Sequence, residues 1–329
     1  MIFVDNERVT DPRINLAIEE HLLRKPEISD DILLFYINEP SIIIGRNQNT
    51  LEEINHEYVE ANGVRVVRRL SGGGAVYHDL GNLNYSFITN NGNNNFHNFQ
   101  KFTAPVIDVL QGMGVQAELS GRNDILVDGR KISGNAQYST STRMFHHGTL
   151  LFSSKLENVG DALNVKTGKI TSKGIKSVRS RVANITEFTN HDMDVEGFRE
   201  RLLSGIFGGS KQISRYELTD QDWTAIQDLS KERYANWDWN FGKSPDFNLR
   251  KTHRFPIGEI DVCIDVQKGS IRAIKIYGDF LGQGEVAEIE KRLVGARFER
   301  MSLEEALAAL DVSYYFGGLT NEEFIRFLY

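Results

Sequence analysis

The 329-residue chain has one cysteine, Cys263. It can form no internal disulfide and no thiolate metal cluster, and it offers one thiol as a nucleophile. No apolar run approaches the roughly 18 residues that read as a membrane span. The opening stretch MIFVDNERVTDPRINLAIEEHLL carries acids where a secretory signal carries bases, so neither membrane nor secretion is expected and the location expected is cytoplasmic. There is no basic excess either: 38 Lys and Arg against 45 Asp and Glu leave a net charge of -7. A polyanion would be repelled in general, so nucleic acid is not an expected partner and any local basic cluster becomes informative. The length suits a large domain and a small one better than a single average core.

Asp11 reads as the N-cap of a helix with Pro12 at its first position and Ile14, Ala17, Ile18 and Leu22 at helical spacing. ILLFYI and SIIIG read as short strands, and a helix through Leu51, Ile54 and Tyr58 should end at Gly63. VRVVRRL and GNLNYSFIT, two further strands, flank the stretch RRLSGGGAVYHD. FQKFTAPVIDVLQGMG reads as a helix, DILVDGRKISG as a hairpin turning on Asp128-Gly129, RMFHHGTLLF as a strand and VEGFRERLLSGIF as an amphipathic helix. The irregular NWDWNFGKSPDFNLRK precedes a strand pair and helices, which places a boundary near residue 246. Residues 1–246 and 247–329 are the two expected domains.

Two motif imitations fall away on spacing. Gly242-Lys243-Ser244 resembles the end of a phosphate-binding loop, but Trp237 stands where the loop needs its first glycine. The SGGG run is loosely spaced like a dinucleotide fingerprint, yet it leads into a strand where that motif must open a helix. Three consecutive glycines still need a reason, either positive φ or a close approach of backbone to a ligand. Lys166, Lys169, Lys173, Lys176, Arg179 and Arg181 crowd one short segment, interleaved with Gly168, Gly174 and hydroxyl residues. Cations beside backbone N–H groups and hydroxyls are the inventory that holds a polyphosphate. Lys131 follows a tight turn and can act as a fixed point charge toward a carboxylate or phosphate. Alternation puts it on the face of Ser133, with Arg130 and Ile132 opposite. The same alternation lets only one of His146 and His147 enter any one site.

RRLSGGGAVYHDLGNLNYSF, GRNDILVDGRKISGNAQ, HHGTLLF and KGIKSVRSRVANITE, in that order, together resemble the bacterial lipoate-protein ligase family, of the A type with a C-terminal accessory domain. The family's lysine, followed after two residues by glycine and then by small residues, is matched by Lys131, Gly134 and Ala136. The resemblance implies an α+β fold with mixed sheets: a biotin/lipoate-ligase-like catalytic domain and a smaller α+β accessory domain. It implies activation of lipoate by ATP and Mg²⁺ to lipoyl-AMP with release of pyrophosphate, then transfer to a lysine of an acceptor. The acceptors implied are lipoyl domains of 2-oxoacid dehydrogenase acyltransferase subunits and the glycine-cleavage H protein. Octanoate is a possible second acyl substrate, and a monomer is expected.

Residue by residue, the resemblance assigns Lys131 to the acyl carbonyl and the α-phosphate. Arg69 and the loop residues Lys173, Lys176, Arg179 and Arg181 would hold the triphosphate. Ser71, Gly72, Gly73, Gly74, Ala75, Val76 and Tyr77 would lie along the acyl group and the adenylate, with His78, Asn84, Gly134, Ala136 and His147 as neighbours. Asp124 is expected either to assist Mg²⁺, a hard cation that favours carboxylate oxygen, or to stabilise the hairpin. The alternative reading is an ATP-independent lipoyl or octanoyl transferase of the same fold. Such relatives carry a catalytic-domain cysteine, and residues 1–246 have none.

Overall fold

A computed structural model describes residues 1–25, 27–92, 95–163, 181–210, 212–241 and 249–329. The chain forms two compact units, one of residues 1–43, 52–68 and 76–240, the other of residues 44–51, 69–75 and 241–329. The boundary expected at residue 246, and the Gly242-Lys243-Ser244 imitation, lie outside the described residues.

The strands of the first unit are β1 (Ile2–Asp5), β2 (Ile32–Ile37), β3 (Ser41–Ile44), β4 (Arg65–Arg68), β5 (Val76–His78), β6 (Asn82–Asn90), β7 (Glu118–Ser120), β8 (Asp124–Val127), β9 (Arg130–Ser139), β10 (Arg143–Leu151) and β11 (Arg215–Tyr216), with the last residue of β3 counted in the second unit. Eight of them make one sheet in the order β11-β1-β2-β6-β10-β9-β8-β7. β1 runs parallel to both of its neighbours and the other pairs are antiparallel. β4-β3-β5 form a small second sheet. The mixed α+β architecture is the one the sequence implied.

Alternation divides the large sheet cleanly. Leu33 and Phe35 of β2 and Leu83, Tyr85 and Phe87 of β6 join Phe102, Val106 and Leu110 of helix α2 (Phe99–Gly112) and Phe198 and Leu202 of α3 (Val195–Ile206) in one core. Helix α1 (Pro12–Arg24), capped by Asp11 as expected, lies on β10 and β6, with Glu19 reaching His147 on the face away from that core. Its C-terminal end is tied to α4 (Asp220–Leu229) by the 1 % exposed Asp222, which accepts from His21 and Lys25 on one oxygen and from Tyr216 and Thr219 on the other. Burial pushes the Asp222 carboxyl up, and the donors around it outweigh that and hold it well below the usual carboxylate range.

The expected helix through Leu51, Ile54 and Tyr58 is broken in two, Thr50–Glu53 and His56–Ala61. Asn55 causes the break: its side chain accepts from the Tyr58 amide as the N-cap of the second piece, while Ile54 bridges Leu163. The Asp128-Gly129 turn is as expected, with φ of 50° and 73° at the two residues.

In the second unit, β12 (Leu249–Phe255), β13 (Gly258–Gln267) and β14 (Ser270–Gly278) form an antiparallel sheet. Helices α5 (Val286–Leu293), α6 (Arg300–Leu307), α7 (Val312–Phe316) and α8 (Asn321–Leu328) close its core around Ile264, Ile276, Phe280, Leu293, Phe316 and Phe324. Residues 44–51 and 69–75 join this unit through the segment after β14: the Gly278 amide donates to the Asn47 carbonyl at 2.5 Å, and Arg46 pairs with Glu285.

His146 sits in the first core with its ring 5.1 Å from that of Phe102. Its Nδ1 accepts from Gln137 and its Nε2 donates to Asn135 Oδ1. Burial, and then the neighbouring His147, hold it well below the usual histidine range, so it is neutral in the folded protein. The unfolded chain takes up the proton that the folded chain refuses, so stability must fall as pH drops below about 6.5, by at most about 1.4 kcal/mol per pH unit for one such group. Thermal melts between pH 7.5 and 5 should show this loss, and His146→Gln should flatten it; an unchanged slope would mean that His146 takes up its proton while folded.

Candidate functional site

The face of the large sheet that meets α1 carries several of the expected site residues of the first unit, while Val76, Tyr77 and His78 lie on β5 of the small sheet. His147 lies opposite Ala136 on one side and Ser86 on the other, and Thr149 lies opposite Asn84, so Ala136, His147 and Asn84 share that face. His147 Nδ1 is 3.0 Å from both oxygens of Glu19, which is 2 % exposed on α1. Asn84 accepts from Asn82 and donates to the Tyr36 carbonyl. His78 is held through Nδ1 by Asn38, and Val76 and Tyr77 pair with Ile43 and Ile42 across β3. Ser86 Oγ and Asn82 Oδ1 are buried with no hydrogen-bond partner among the described residues.

Lys131 joins this face by an irregularity that alternation does not foresee. β8 and β9 slip register by one residue: Leu126 pairs with Lys131, but Ile125 pairs with Ser133 and Asp124 with Gly134. Ile132 is the extra residue. Ile132 and Ser133 are both fully buried, Ile132 in the core, and Ser133 Oγ accepts from Asn135 on the same side. The expectation that Lys131 shares a face with Ser133 is therefore corrected: a β-bulge turns it to the face of Gly134. A Cβ on Gly134 would stand 2.9 Å from Lys131 Nζ and 3.0 Å from its Cε. That is why a glycine follows the lysine at this spacing: the side chain lies where a Cβ would be.

The ammonium ends 2.7 Å from Asp124 Oδ1, both side chains being about a third exposed (35 % and 36 %). The Lys131 backbone donates to the Arg181 carbonyl at 2.7 Å and accepts from Ala183 at 3.0 Å, so the last residue of the basic segment runs beside the lysine. Lys166, Lys169, Lys173, Lys176 and Arg179 lie outside the described residues. Asp124 is the one carboxylate expected at a metal, and no cluster of three or more potential metal ligands exists among the described residues.

Arg69, Ser71, Gly72, Gly73, Gly74 and Ala75 belong to the second unit. Arg69 turns back onto its own loop, donating to Ser71 Oγ and to the carbonyls of Gly72 and Gly74 at 2.6 and 2.9 Å. The guanidinium expected at a triphosphate thus braces the glycine run here. A Cβ on Gly72 would come within 2.4 Å of the Phe280 carbonyl, and Gly73 has φ of +92°. Both glycines answer to protein backbone. Only Gly74 of the three has open space where its Cβ would be.

Two residues escaped the reading of the sequence. Glu19 was available as an acid on the buried side of an amphipathic helix, a pattern that needs a partner. Asn135 was not distinguishable by type. Its Oδ1 accepts from Tyr85 Oη and His146 Nε2, while its Nδ2 donates to the Asn123 carbonyl. Gly148 makes room for it, because a Cβ there would stand 2.1 Å from that oxygen and 2.7 Å from the Tyr85 ring.

The model of the lipoyl protein ligase A/B catalytic domain matches residues 11–207, and that of the bacterial lipoate protein ligase C-terminus matches residues 244–328. Lipoate-protein ligase LplJ of Bacillus subtilis is 57 % identical over the whole of both chains. The crystal structure of P. falciparum LipL1 in complex with lipoate superposes with a TM-score of 0.77 at 25 % identity, covering 94 % of each chain. A lipoate-protein ligase A bound with ATP gives 0.61 at 27 % identity, over 74 % of this chain and 97 % of that one.

Gly134 and Gly148 should behave oppositely. Gly148→Ala has only buried, packed atoms to displace and should cost about 3 kcal/mol. Gly134→Ala meets the far end of a flexible side chain, so it should leave stability within about 0.5 kcal/mol while moving the ammonium. Denaturant titration of both variants checks this. A Gly134→Ala protein as unstable as Gly148→Ala would mean that Lys131 cannot yield.

Proposed function

The chain belongs to the lipoate-protein ligase family, and we propose on that premise that it joins free lipoate to ATP as lipoyl-AMP and then passes the lipoyl group to a lysine of an acceptor domain. The observation that carries this reading is the Lys131 ammonium, on a side chain about a third exposed and fixed by a bulge, a tight turn and a backbone pairing with the end of a basic segment. In the first step a lipoate carboxylate oxygen attacks the α-phosphorus and the bond to pyrophosphate breaks. Charge grows on the phosphoryl oxygens, and a fixed cation stabilises it without having to reorganise. In the second step the acceptor amine attacks the acyl carbonyl and AMP leaves. The same ammonium can hydrogen-bond that carbonyl oxygen as it becomes an oxyanion.

The remaining assignments follow the same chemistry. Lys173, Lys176, Arg179 and Arg181 would neutralise the departing pyrophosphate, and Arg69 would keep the glycine run in the shape that admits the adenylate at Gly74, Ala75, Val76 and Tyr77. Asn84, Ala136 and His147 would line the acyl side, with His78 close by. Residues 1–246 would act as the catalytic domain and 247–329 as the accessory one. Mg²⁺ supplies charge neutralisation on the triphosphate. With Asp124 paired to Lys131, the ion would be held chiefly by phosphate oxygens, as Mg²⁺ often is. Lipoyl domains of 2-oxoacid dehydrogenases and the glycine-cleavage H protein are the acceptors proposed, with a monomeric enzyme acting in the cytoplasm. No helix among the described residues is long and apolar enough to cross a membrane. Transfer through a cysteine without ATP finds no support, since Cys263 is buried in β13 of the second unit.

Lipoate-dependent exchange of labelled pyrophosphate into ATP, without acceptor, tests the first step. Wild type should exchange, and Lys131→Ala should lose about 10²- to 10³-fold while keeping its melting temperature. Near-normal exchange by the folded variant would remove Lys131 from the reaction.

A further inference from the structure

We propose that Asp124 is a positioning residue for Lys131: its carboxylate holds the ammonium over Gly134 at the place where the reaction needs it, and it does not ligate a metal. The proposal rests on the adenylating activity proposed above. Geometry supplies the argument. In a regular ladder Leu126 opposite Lys131 would set Asp124 opposite Ser133. The one-residue slip sets it opposite Gly134 instead. The bulge thus does two things together: it turns Lys131 to this face, and it puts the carboxylate across from the one residue that leaves room for the lysine between them. The ammonium is 2.7 Å from Asp124 Oδ1.

Asp124 is itself held from the core. The Asn135 amide donates to the Asn123 carbonyl at 2.9 Å, Asn123 Nδ2 donates back to the Asn135 carbonyl at 2.6 Å, and Asn135 Nδ2 donates to the Asn123 carbonyl at 3.1 Å. Tyr85 and His146 fix Asn135 from below. The frame therefore sets the backbone immediately before Asp124. A metal role fits these surroundings poorly, because a cation already stands 2.7 Å from the carboxylate oxygen. An ion pair this exposed adds little to stability, so its effect should be felt in the reaction.

Lipoate-dependent pyrophosphate exchange by Asp124→Asn and Asp124→Glu, each titrated with Mg²⁺, separates the roles. Positioning predicts that Asp124→Asn loses 10- to 100-fold in kcat, keeps its half-saturating Mg²⁺ concentration within twofold and melts within a few degrees of wild type, and that Asp124→Glu recovers part of the rate. A tenfold rise in the Mg²⁺ requirement would make Asp124 a metal ligand, and an unchanged kcat would give it no part in the reaction; either overturns the proposal. A second measurement does not depend on the activity. An amine-reactive probe, followed by peptide mass spectrometry, should modify Lys131 faster in Asp124→Asn than in wild type. A wild-type enzyme that fails to exchange would overturn the proposed activity, while equal labelling of Lys131 in the two proteins would overturn the positioning.

Discussion

One extra residue in β9 governs the candidate site. Without Ile132 as a bulge, strict alternation would place Lys131 on the core side with Ser133 and Asn135, where an ammonium would have to be desolvated among Ile125, Tyr85 and His146. That would cost several kcal/mol for an unpaired charge. The bulge gives the core a buried isoleucine and serine in succession and releases the lysine to the opposite face. The glycine at 134 and the carboxylate at 124 have meaning only in the slipped register. So does the tight turn at Asp128-Gly129, which fixes where β9 begins and leaves the slip to occur within three residues.

Around this irregularity the protein spends buried polar contacts on rigidity. Asn135 completes both its amide functions, His146 is confined to one neutral tautomer, and Gly148 gives up its side chain so that Asn135 and Tyr85 can meet. Satisfied networks of this kind specify a single arrangement of the core. On the other face Ser86 Oγ and Asn82 Oδ1 are buried with no hydrogen-bond partner among the described residues.

Most of the elements could be read from the sequence because period and punctuation agree there: the Asp11-Pro12 start of α1, the Asp128-Gly129 hairpin and the alternation of β6 and β10 each carry two independent signals. The alternation argument for Lys131 failed, because a bulge has no signature in residue type when the extra residue is an ordinary isoleucine. The split at Asn55 was missed for a related reason: an asparagine within a helical pattern is weakly unfavourable in the interior and strongly favourable as a cap, and only the surroundings decide. The glycine run shows a different limit. Three glycines announce close approach, but not to what, and here Phe280 claims one of them from more than two hundred residues away.

Two carboxylate–lysine pairs in the first unit show how exposure divides structural from chemical work. Asp222, 1 % exposed, accepts from Lys25, His21, Tyr216 and Thr219 together and ties α1 to α4. Removing the Asp222 carboxylate would strip four donors of their common acceptor, so this pair is structural. Asp124 and Lys131 meet at nearly the same distance but a third exposed, and such a pair contributes about 0–1 kcal/mol. It is strong enough to choose one place for a flexible side chain and weak enough to be exchanged. In the proposed reaction, a phosphoryl or acyl oxygen bearing developing charge would take the ammonium from Asp124 without destabilising the fold, and the lysine would return when the product leaves. A buried partner would hold Lys131 too firmly to react, and no partner would leave its four rotatable bonds unfixed. The exposed pair meets both requirements because water screens it.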